Sequence, residues 1–207
     1  RLDKALENIN NALELDEKSP QATSAKCEVQ FKLKQYNQTI DSCLMAIELD
    51  PVAYTPFRTL GATYIELEKY DSAVEYLNQA LEKSRGDHAE DLDVTYHNLS
   101  YSLLNIGDYE EALINIDNAI KLNPVSDDYR LRADILTAMG DHQKSLTNLD
   151  KSIELDPSNA FSHAGKCLSL YELGNYKKAL NSCNQAVLDS DKKEADILLV
   201  RATINLE

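Results

Sequence analysis

Residues 96–124 read YHNLSYSLLNIGDYEEALINIDNAIKLNP, and this stretch decides the fold. Its first half carries leucines at helical spacing: Leu99, Leu103 and Leu104. Its second half carries small and apolar residues at the same spacing: Ala112, Leu113, Ile116, Ala119 and Ile120. Gly107 suits the left-handed end of the first helix, and Pro124 cannot continue the second. The stretch therefore predicts two amphipathic helices joined by a tight turn.

The same pattern recurs along the whole chain. A turn such as Gly107-Asp108-Tyr109 is followed, three residues after its aromatic position, by a small residue. The small residues of this series are Ala5, Thr39, Ala73, Ala112, Ser145 and Ala179, at steps of 34, 34, 39, 33 and 34. A period near 34 residues is typical of stacked helix–turn–helix units. The sequence therefore predicts a repeat protein.

A second set of small residues falls in the first helix of each unit. Its members are Cys27, Gly61, Ser100, Ala133 and Cys167. Helices that pack about 8–10 Å apart need small side chains where their axes come closest. A bulky residue there would overpack the contact at a cost of about 1–3 kcal/mol.

These residues resemble the tetratricopeptide-repeat (TPR) family. The family pattern is matched in one unit at Phe57, Leu60, Gly61, Tyr64, Tyr70, Ala73 and Ala80. It is matched in the next unit at Tyr96, Leu99, Leu103, Gly107, Tyr109, Ala112, Ala119 and Pro124. The resemblance implies an all-α, right-handed superhelical solenoid of helix–turn–helix repeats, with about 12 antiparallel helices.

We expect residues 1–207 to form a single TPR array. Residues 1–19 read as the second helix of a partial repeat, and residues 195–207 as the first helix of a truncated one. The complete repeats, numbered two to six, are expected at 20–53, 54–87, 93–125, 126–159 and 160–193. Both end helices carry apolar residues without a partner, so the segment is expected to belong to a longer array and to self-associate through its uncapped ends.

Composition limits the partners. The chain carries 21 Lys and Arg against 35 Asp and Glu, a formal net charge of −14. Phosphate backbones and anionic membrane surfaces repel such a chain, so we expect no nucleic acid partner. No stretch approaches the ~18 apolar residues of a membrane span, so no membrane insertion is expected. A basic partner, or one that binds by shape, fits this charge.

Catalytic and cofactor motifs are missing from the sequence. There is no His-Glu-x-x-His, no phosphate-cradling glycine loop and no Gly-x-Ser-x-Gly elbow. His88, His97, His142 and His163 are scattered without the spacing of metal ligands. We therefore expect no metal, no cofactor and no enzymatic activity.

The four cysteines allow two interpretations. Cys27 and Cys43 are 16 residues apart, as are Cys167 and Cys183, and both pairs occupy the same two packed positions. Without a Cys-x-x-Cys pair, the first interpretation is four buried thiols in a reducing compartment, consistent with a cytoplasmic location. The second is a redox pair within each hairpin, which requires Cα atoms within roughly 7 Å.

The resemblance also implies where a partner binds. In TPR arrays the first helices line a concave groove, and this family feature is carried over position by position. The candidate groove residues are Arg58, His97, Asn98, Tyr101, Asn105, Arg130, Asp134, Phe161 and Tyr171. They mix aromatic, amide and charged groups, as peptide-binding surfaces do.

Three functional hypotheses follow. The first is a non-catalytic scaffold or adaptor that binds a peptide or protein segment in the groove. The second is a targeting or regulatory TPR segment of a larger multidomain enzyme. The third, binding of acidic C-terminal peptides in a two-carboxylate clamp as in co-chaperones, is disfavoured. Asn98 matches the middle position of that clamp, and Arg58 can stand in for its first Lys. Ala62, Asp127 and Leu131 replace its first Asn and its last Lys and Arg.

Overall fold

The structure is a computed structural model that describes residues 1–84, 91–189 and 201–202. These residues contain eleven α-helices and no strand, which confirms the predicted all-helical repeat fold. The chain divides into two compact units, Arg1–Gly107 and Asp108–Glu207. The first unit contains α1 (Leu2–Leu15), α2 (Pro20–Lys32), α3 (Tyr36–Leu49), α4 (Tyr54–Glu66), α5 (Tyr70–Lys83) and α6 (Leu92–Ile106). The second contains α7 (Tyr109–Leu122), α8 (Ser126–Ala138), α9 (His142–Leu155), α10 (Ala160–Glu172) and α11 (Tyr176–Asp189).

Each unit is a stack of helical hairpins. In the first, α2 packs against α3 and α4 against α5, and each helix also packs against the next along the chain. In the second, the hairpins are α8 with α9 and α10 with α11. The first helices of neighbouring hairpins also touch, α2 with α4, α4 with α6 and α8 with α10. Within each unit, these contacts bring the first helices together on one surface.

The turn between the two helices of a hairpin uses one backbone conformation throughout the chain. Gly107, Gly140 and Gly174 have φ values of 89°, 81° and 71° at this position. Lys34 and Glu68 occupy the equivalent position at 59° and 55°. Glycine adopts this left-handed region without a steric penalty, whereas a side chain costs about 1–2 kcal/mol there. The turn therefore forms even where glycine is absent.

The small positions predicted from the sequence are buried at the helix contacts. Cys27, Ser100, Ala133 and Cys167 are each 0% exposed. A Cβ built on Gly61 would overlap the side chain of Leu77 on the facing helix. In the second-helix series, Ala5 is half-buried and the other five residues are 0% exposed: Thr39, Ala73, Ala112, Ser145 and Ala179. Close helix packing therefore explains both sets.

The cysteines correct one interpretation. The structure joins Cys27 to Cys43 and Cys167 to Cys183 by disulfide bonds, with Cα atoms 5.1 Å apart in both pairs. No free cysteine is present. The interpretation of four separate thiols is therefore contradicted, because the paired positions face each other across the hairpin at a distance that a disulfide spans.

The first helix of the chain packs on one side only. Helix α1 packs against α2 with Leu2, Leu6, Ile9 and Leu13 half-buried, and none of its residues is fully buried. Leu15 at its end is 91% exposed. Self-association through this end stays a prediction, as does the single-array division of the chain.

Two further expectations concern segments at the limit of the described residues. The 39-residue step between Ala73 and Ala112 predicts five extra residues, about 88–92, between two repeats, and positions 88–90 lie outside the described residues. The expected twelfth helix, 195–207, also lies outside them except for Arg201 and Ala202, which are helical. Within the part of the chain that the structure describes, no helix is both long and apolar enough to cross a membrane.

Candidate peptide-binding surfaces

The first surface lies in the first unit, on α2, α4 and α6. Tyr54 at the start of α4 fixes the spacing of two of these helices. Its ring is 2% exposed, and its hydroxyl donates to the carbonyl oxygen of Asp91 at 3.2 Å. The hydroxyl also forms a short hydrogen bond with Thr95 Oγ1 in α6. Burial raises the pKa of the Tyr54 phenol, so this hydroxyl keeps its proton at neutral pH.

Arg58 links all three first helices electrostatically. Its Nη2 donates to Glu28 Oε1 of α2 at 3.0 Å and lies 3.6 Å from Asp91 Oδ2, just before α6. The Arg58 side chain is only 21% exposed. Its charge is therefore already balanced by two carboxylates of its own chain.

The remaining candidates of the first unit lie along α6. His97, Asn98, Tyr101 and Asn105 follow one another at one-turn intervals or less. The Tyr101 ring meets Tyr70 of α5 edge to face, with centroids 6.0 Å apart. Asn105 Nδ2 donates to the Tyr101 carbonyl oxygen at 2.8 Å, so its side chain already bonds to the backbone of its own helix. No hydrogen bond of the half-buried Asn98 amide is found among the described residues.

A depression of about 480 Å³ opens beside Glu28, between α2 and the start of α4. Gln21, Ser24 and Val52 help to line it. Sequence reasoning missed these residues. Gln21 and Ser24 precede Glu28 by seven and four positions, so all three lie on one face of α2. This helical spacing is the sequence signal that could have identified them.

The second surface lies in the second unit, on α8 and α10. Arg130 of α8 donates through Nη1 to Asp134 Oδ2 at 2.7 Å, and its Nε lies 3.5 Å from Asp127 Oδ1. The guanidinium lies over the ring of Phe161 of α10, 5.9 Å from the ring centroid. Phe161 is 63% exposed. Arg130, Asp134 and Phe161 are thus brought together, whereas Tyr171 stacks at a tilt on Tyr176, with centroids 5.6 Å apart.

Hydrogen bonds at the half-buried start of α8 connect this surface to the neighbouring helices. Ser126 Oγ and Ser152 Oγ are 2.9 Å apart, and Ser152 Oγ and Ser162 Oγ are 2.6 Å apart. Asn159 Nδ2 donates to Ser126 Oγ at 3.1 Å and to Asp127 Oδ1 at 3.3 Å. The network joins α8, α9 and α10, so Arg130 and Phe161 sit on a fixed base.

Asp134 has a perturbed titration. Its pKa is raised above the ordinary aspartate value because desolvation outweighs the attraction and hydrogen bond of Arg130. Arg130 therefore offsets only part of the desolvation cost of the Asp134 carboxylate. When Asp134 is protonated, Arg130 loses one of the negative charges that balance it.

A metal site requires several His, Cys, Asp or Glu side chains close together. Among residues 1–84, 91–189 and 201–202, no group of three or more His, Cys, Asp or Glu side chains could hold a metal ion.

Comparisons with known proteins agree with this fold. Family models described as tetratricopeptide repeat match residues 52–122 and 129–159. Together with the repeat positions described above, they show that the chain belongs to the tetratricopeptide-repeat family. Proteins of this family are in general non-catalytic scaffolds for protein–protein interaction.

Solved structures give the same fold. YrrB, a TPR protein with an unusual peptide-binding site, is similar with a TM-score of 0.78 at 18% identity, over 96% of this chain and 100% of that one. Pseudomonas aeruginosa pilF has a TM-score of 0.76 at 17% identity, over 92% and 84%. The TPR2AB domain of yeast Sti1, in complex with pHSP90, has a TM-score of 0.53 at 18% identity, over 99% and 92%. At these identities the likeness shows the fold alone.

Proposed function

We propose that this chain is a non-catalytic scaffold that binds an extended segment of a partner protein on its first-helix surfaces. The observation that carries the proposal is the exposed ring of Phe161. This ring is 63% exposed on a first helix, and the guanidinium of Arg130 lies 5.9 Å from its centroid. A large aromatic ring exposed on a hydrogen-bonded base is the kind of residue that dominates binding energy at interfaces.

The second unit supplies an apolar anchor with charged neighbours. Leu168 lies two turns along α10 from Phe161 and is 38% exposed. Asp127 and Asp134 flank the same surface through Arg130. A partner segment that packs an apolar side chain against Phe161 and Leu168 would have the carboxylates of this surface beside it.

The first unit supplies a polar anchor. The Asn98 amide can donate to and accept from an extended backbone, and Tyr101 beside it offers an aromatic ring held against Tyr70. Amide and aromatic groups on one helix face suit recognition of main chain together with an apolar side chain.

The charge balance indicates the partner. The chain has a net charge of −14, and the arginines of both surfaces are already paired with its own carboxylates. A partner segment with Lys or Arg beside apolar residues complements this surface, and the complementarity speeds association at low salt.

The clamp for acidic C-terminal peptides receives no support. Such a site needs cations available for a carboxylate, but Arg58 is engaged by Glu28 and Asp91. Yeast Sti1 binds pHSP90, and that activity is not carried over to this chain.

The proposal is tested by selecting ligands from a displayed library of random peptides, followed by anisotropy titration of the best binders. We expect selected peptides to combine basic and apolar residues. The double variant Asn98→Ala plus Tyr101→Ala should have a lower affinity for peptides that bind the first unit. Met45→Ala, which changes a 54% exposed residue on the second helix α3, is the control. Failure to select any peptide, or equal affinity for all variants, contradicts the proposal.

A further inference from the structure

The two cysteine pairs occupy equivalent sites in different units. Cys27 and Cys43 join α2 to α3, and Cys167 and Cys183 join α10 to α11. In both pairs the sequence separation is 16, the Cα atoms are 5.1 Å apart, and all four side chains are 0% exposed. The Cα distance falls within the ordinary range of disulfides. The hairpin backbone therefore holds these positions ready for a covalent bond.

The pairs replace a different kind of contact in the other hairpins. The equivalent positions of α4 and α5 hold Gly61 and Leu77, where a Cβ on Gly61 would overlap Leu77. Those of α8 and α9 hold Ala133 and Leu149, again small against large. The two cysteine hairpins instead hold two residues of the same size at these positions. All four cysteines of the chain fall in these two hairpins, one on each helix of the pair.

We infer that the two pairs are structural disulfides that form as the chain folds in an oxidising compartment. Complete burial sets the order of events, because no oxidant or reductant reaches the sulfurs once the hairpins are packed. The bonds belong to the mature protein rather than to a reversible exchange at its surface. The inference stands apart from the peptide-binding proposal and replaces the cytoplasmic location expected from the sequence.

The chemistry balances with a small-molecule or protein disulfide as the oxidant. One cysteine thiolate of a pair attacks the oxidant disulfide, forms a mixed disulfide and releases one thiol. The second cysteine thiolate then attacks the mixed disulfide and releases the other thiol. Each pair loses two hydrogens, and the oxidant is reduced to two thiols.

The first test is peptide mapping under non-reducing conditions. The chain is produced by export to the bacterial periplasm, alkylated in denaturant without reductant, and digested. We expect linked peptides that join Cys27 to Cys43 and Cys167 to Cys183, with no alkylated cysteine. The variant Cys43→Ala should leave Cys27 alkylated and the other pair linked. Four alkylated cysteines in the wild-type chain overturn the inference.

Stability gives a second readout that does not depend on the mapping. Each disulfide closes a loop of this length and so restricts the unfolded chain. Reduction of both bonds in denaturant, followed by refolding with reductant, should therefore lower the Tm by roughly 10–20 °C. A variant with all four cysteines changed to alanine should show no response to reductant.

The compartment is tested in the cells that naturally make the protein. Acid quenching followed by alkylation traps the native state of the cysteines, and an antibody recovers the chain. Disulfides in both pairs support the inference, and four trapped thiols contradict it.

Discussion

Arg130 and Phe161 meet across two neighbouring first helices, with the guanidinium carbon 5.9 Å from the ring centroid. Asp134, one turn further along α8, accepts a hydrogen bond from Nη1 of the same guanidinium at 2.7 Å. The exposed ring of Phe161 thus lies beside a guanidinium that is itself held by a carboxylate. This arrangement distinguishes the second unit's surface from an ordinary solvated helix face.

The Asp134 titration gives a pH prediction. Its folded pKa is raised above the unfolded value of about 3.9, so the native state binds the proton more tightly. The contribution of Asp134 to stability therefore falls as pH rises from about 4 through its folded pKa. We expect a carboxyl carbon NMR titration to place this pKa above the ordinary aspartate value.

The variant Arg130→Met sharpens that test. It removes the attraction and hydrogen bond that oppose desolvation, so the pKa of Asp134 should rise further. Lys151→Met, at a surface ion pair with Glu154 that does not involve Asp134, is the control. A pKa at or below the ordinary value, or a fall in Arg130→Met, contradicts the assignment.

Gly61 is predicted to tolerate no side chain. In Gly61→Ala the new Cβ would overlap Leu77, at an overpacking cost of about 1–3 kcal/mol that exceeds the roughly 1 kcal/mol of helix propensity gained. Gly165→Ala is the matched control, because its Cβ would lie 3.0 Å from Leu149 Cδ2, the movable end of a side chain. Urea unfolding should show a loss for Gly61→Ala and almost none for Gly165→Ala. Equal values would remove the packing argument.

Glycine substitutions at two turn positions are expected to increase the stability of the chain. Lys34→Gly and Glu68→Gly relieve a left-handed backbone at φ 59° and 55°, partly offset by the greater freedom of glycine in the unfolded chain. We expect each to stabilise the chain by about 0.5–1 kcal/mol. Gly140→Ala, at the same position with φ 81°, should destabilise by a similar amount. Thermal unfolding compares the three, and a loss of stability in both glycine variants would contradict the argument.

Much of the fold was predictable because its signals are local. The 34-residue step, the small residues and the turn glycines each act within one hairpin, so the sequence predicts helices such as α7 and α10 closely. The turn at Lys34 carries no glycine, but its place before Thr39 in the 34-residue series indicates a turn there, and the structure adds its left-handed backbone. Periodicity therefore compensated for a missing residue signal.

The candidate surfaces were harder to predict because tertiary contacts determine which of their charged side chains are paired. Sequence position placed Arg58 on a first helix, but only the structure pairs it with Glu28 and Asp91. The depression beside Glu28 depends on how α2 meets the start of α4. The cysteine pairing likewise needed a distance that spacing alone does not give.

Arg58 is predicted to act in stability rather than in ligand capture. Arg58→Met leaves Glu28 and Asp91 facing each other without a cation, so we expect a loss of about 0.5–1.5 kcal/mol. In a double-mutant cycle, Glu28→Gln should recover part of that loss. Lys32→Met, an exposed cation on α2, serves as control and should be nearly neutral. Additive effects of Arg58→Met and Glu28→Gln would show that the pair is not coupled.

The most direct test of the central claim compares two exposed apolar residues of the second unit. Phe161 on the first helix α10 and Ile114 on the second helix α7 are both 63% exposed. The affinity of a library-selected peptide that binds the second unit is measured for Phe161→Ala and Ile114→Ala. Binding on the first-helix surface predicts a loss of about tenfold or more for Phe161→Ala and little change for Ile114→Ala. Unchanged affinity for Phe161→Ala, or a larger loss for Ile114→Ala, would contradict it.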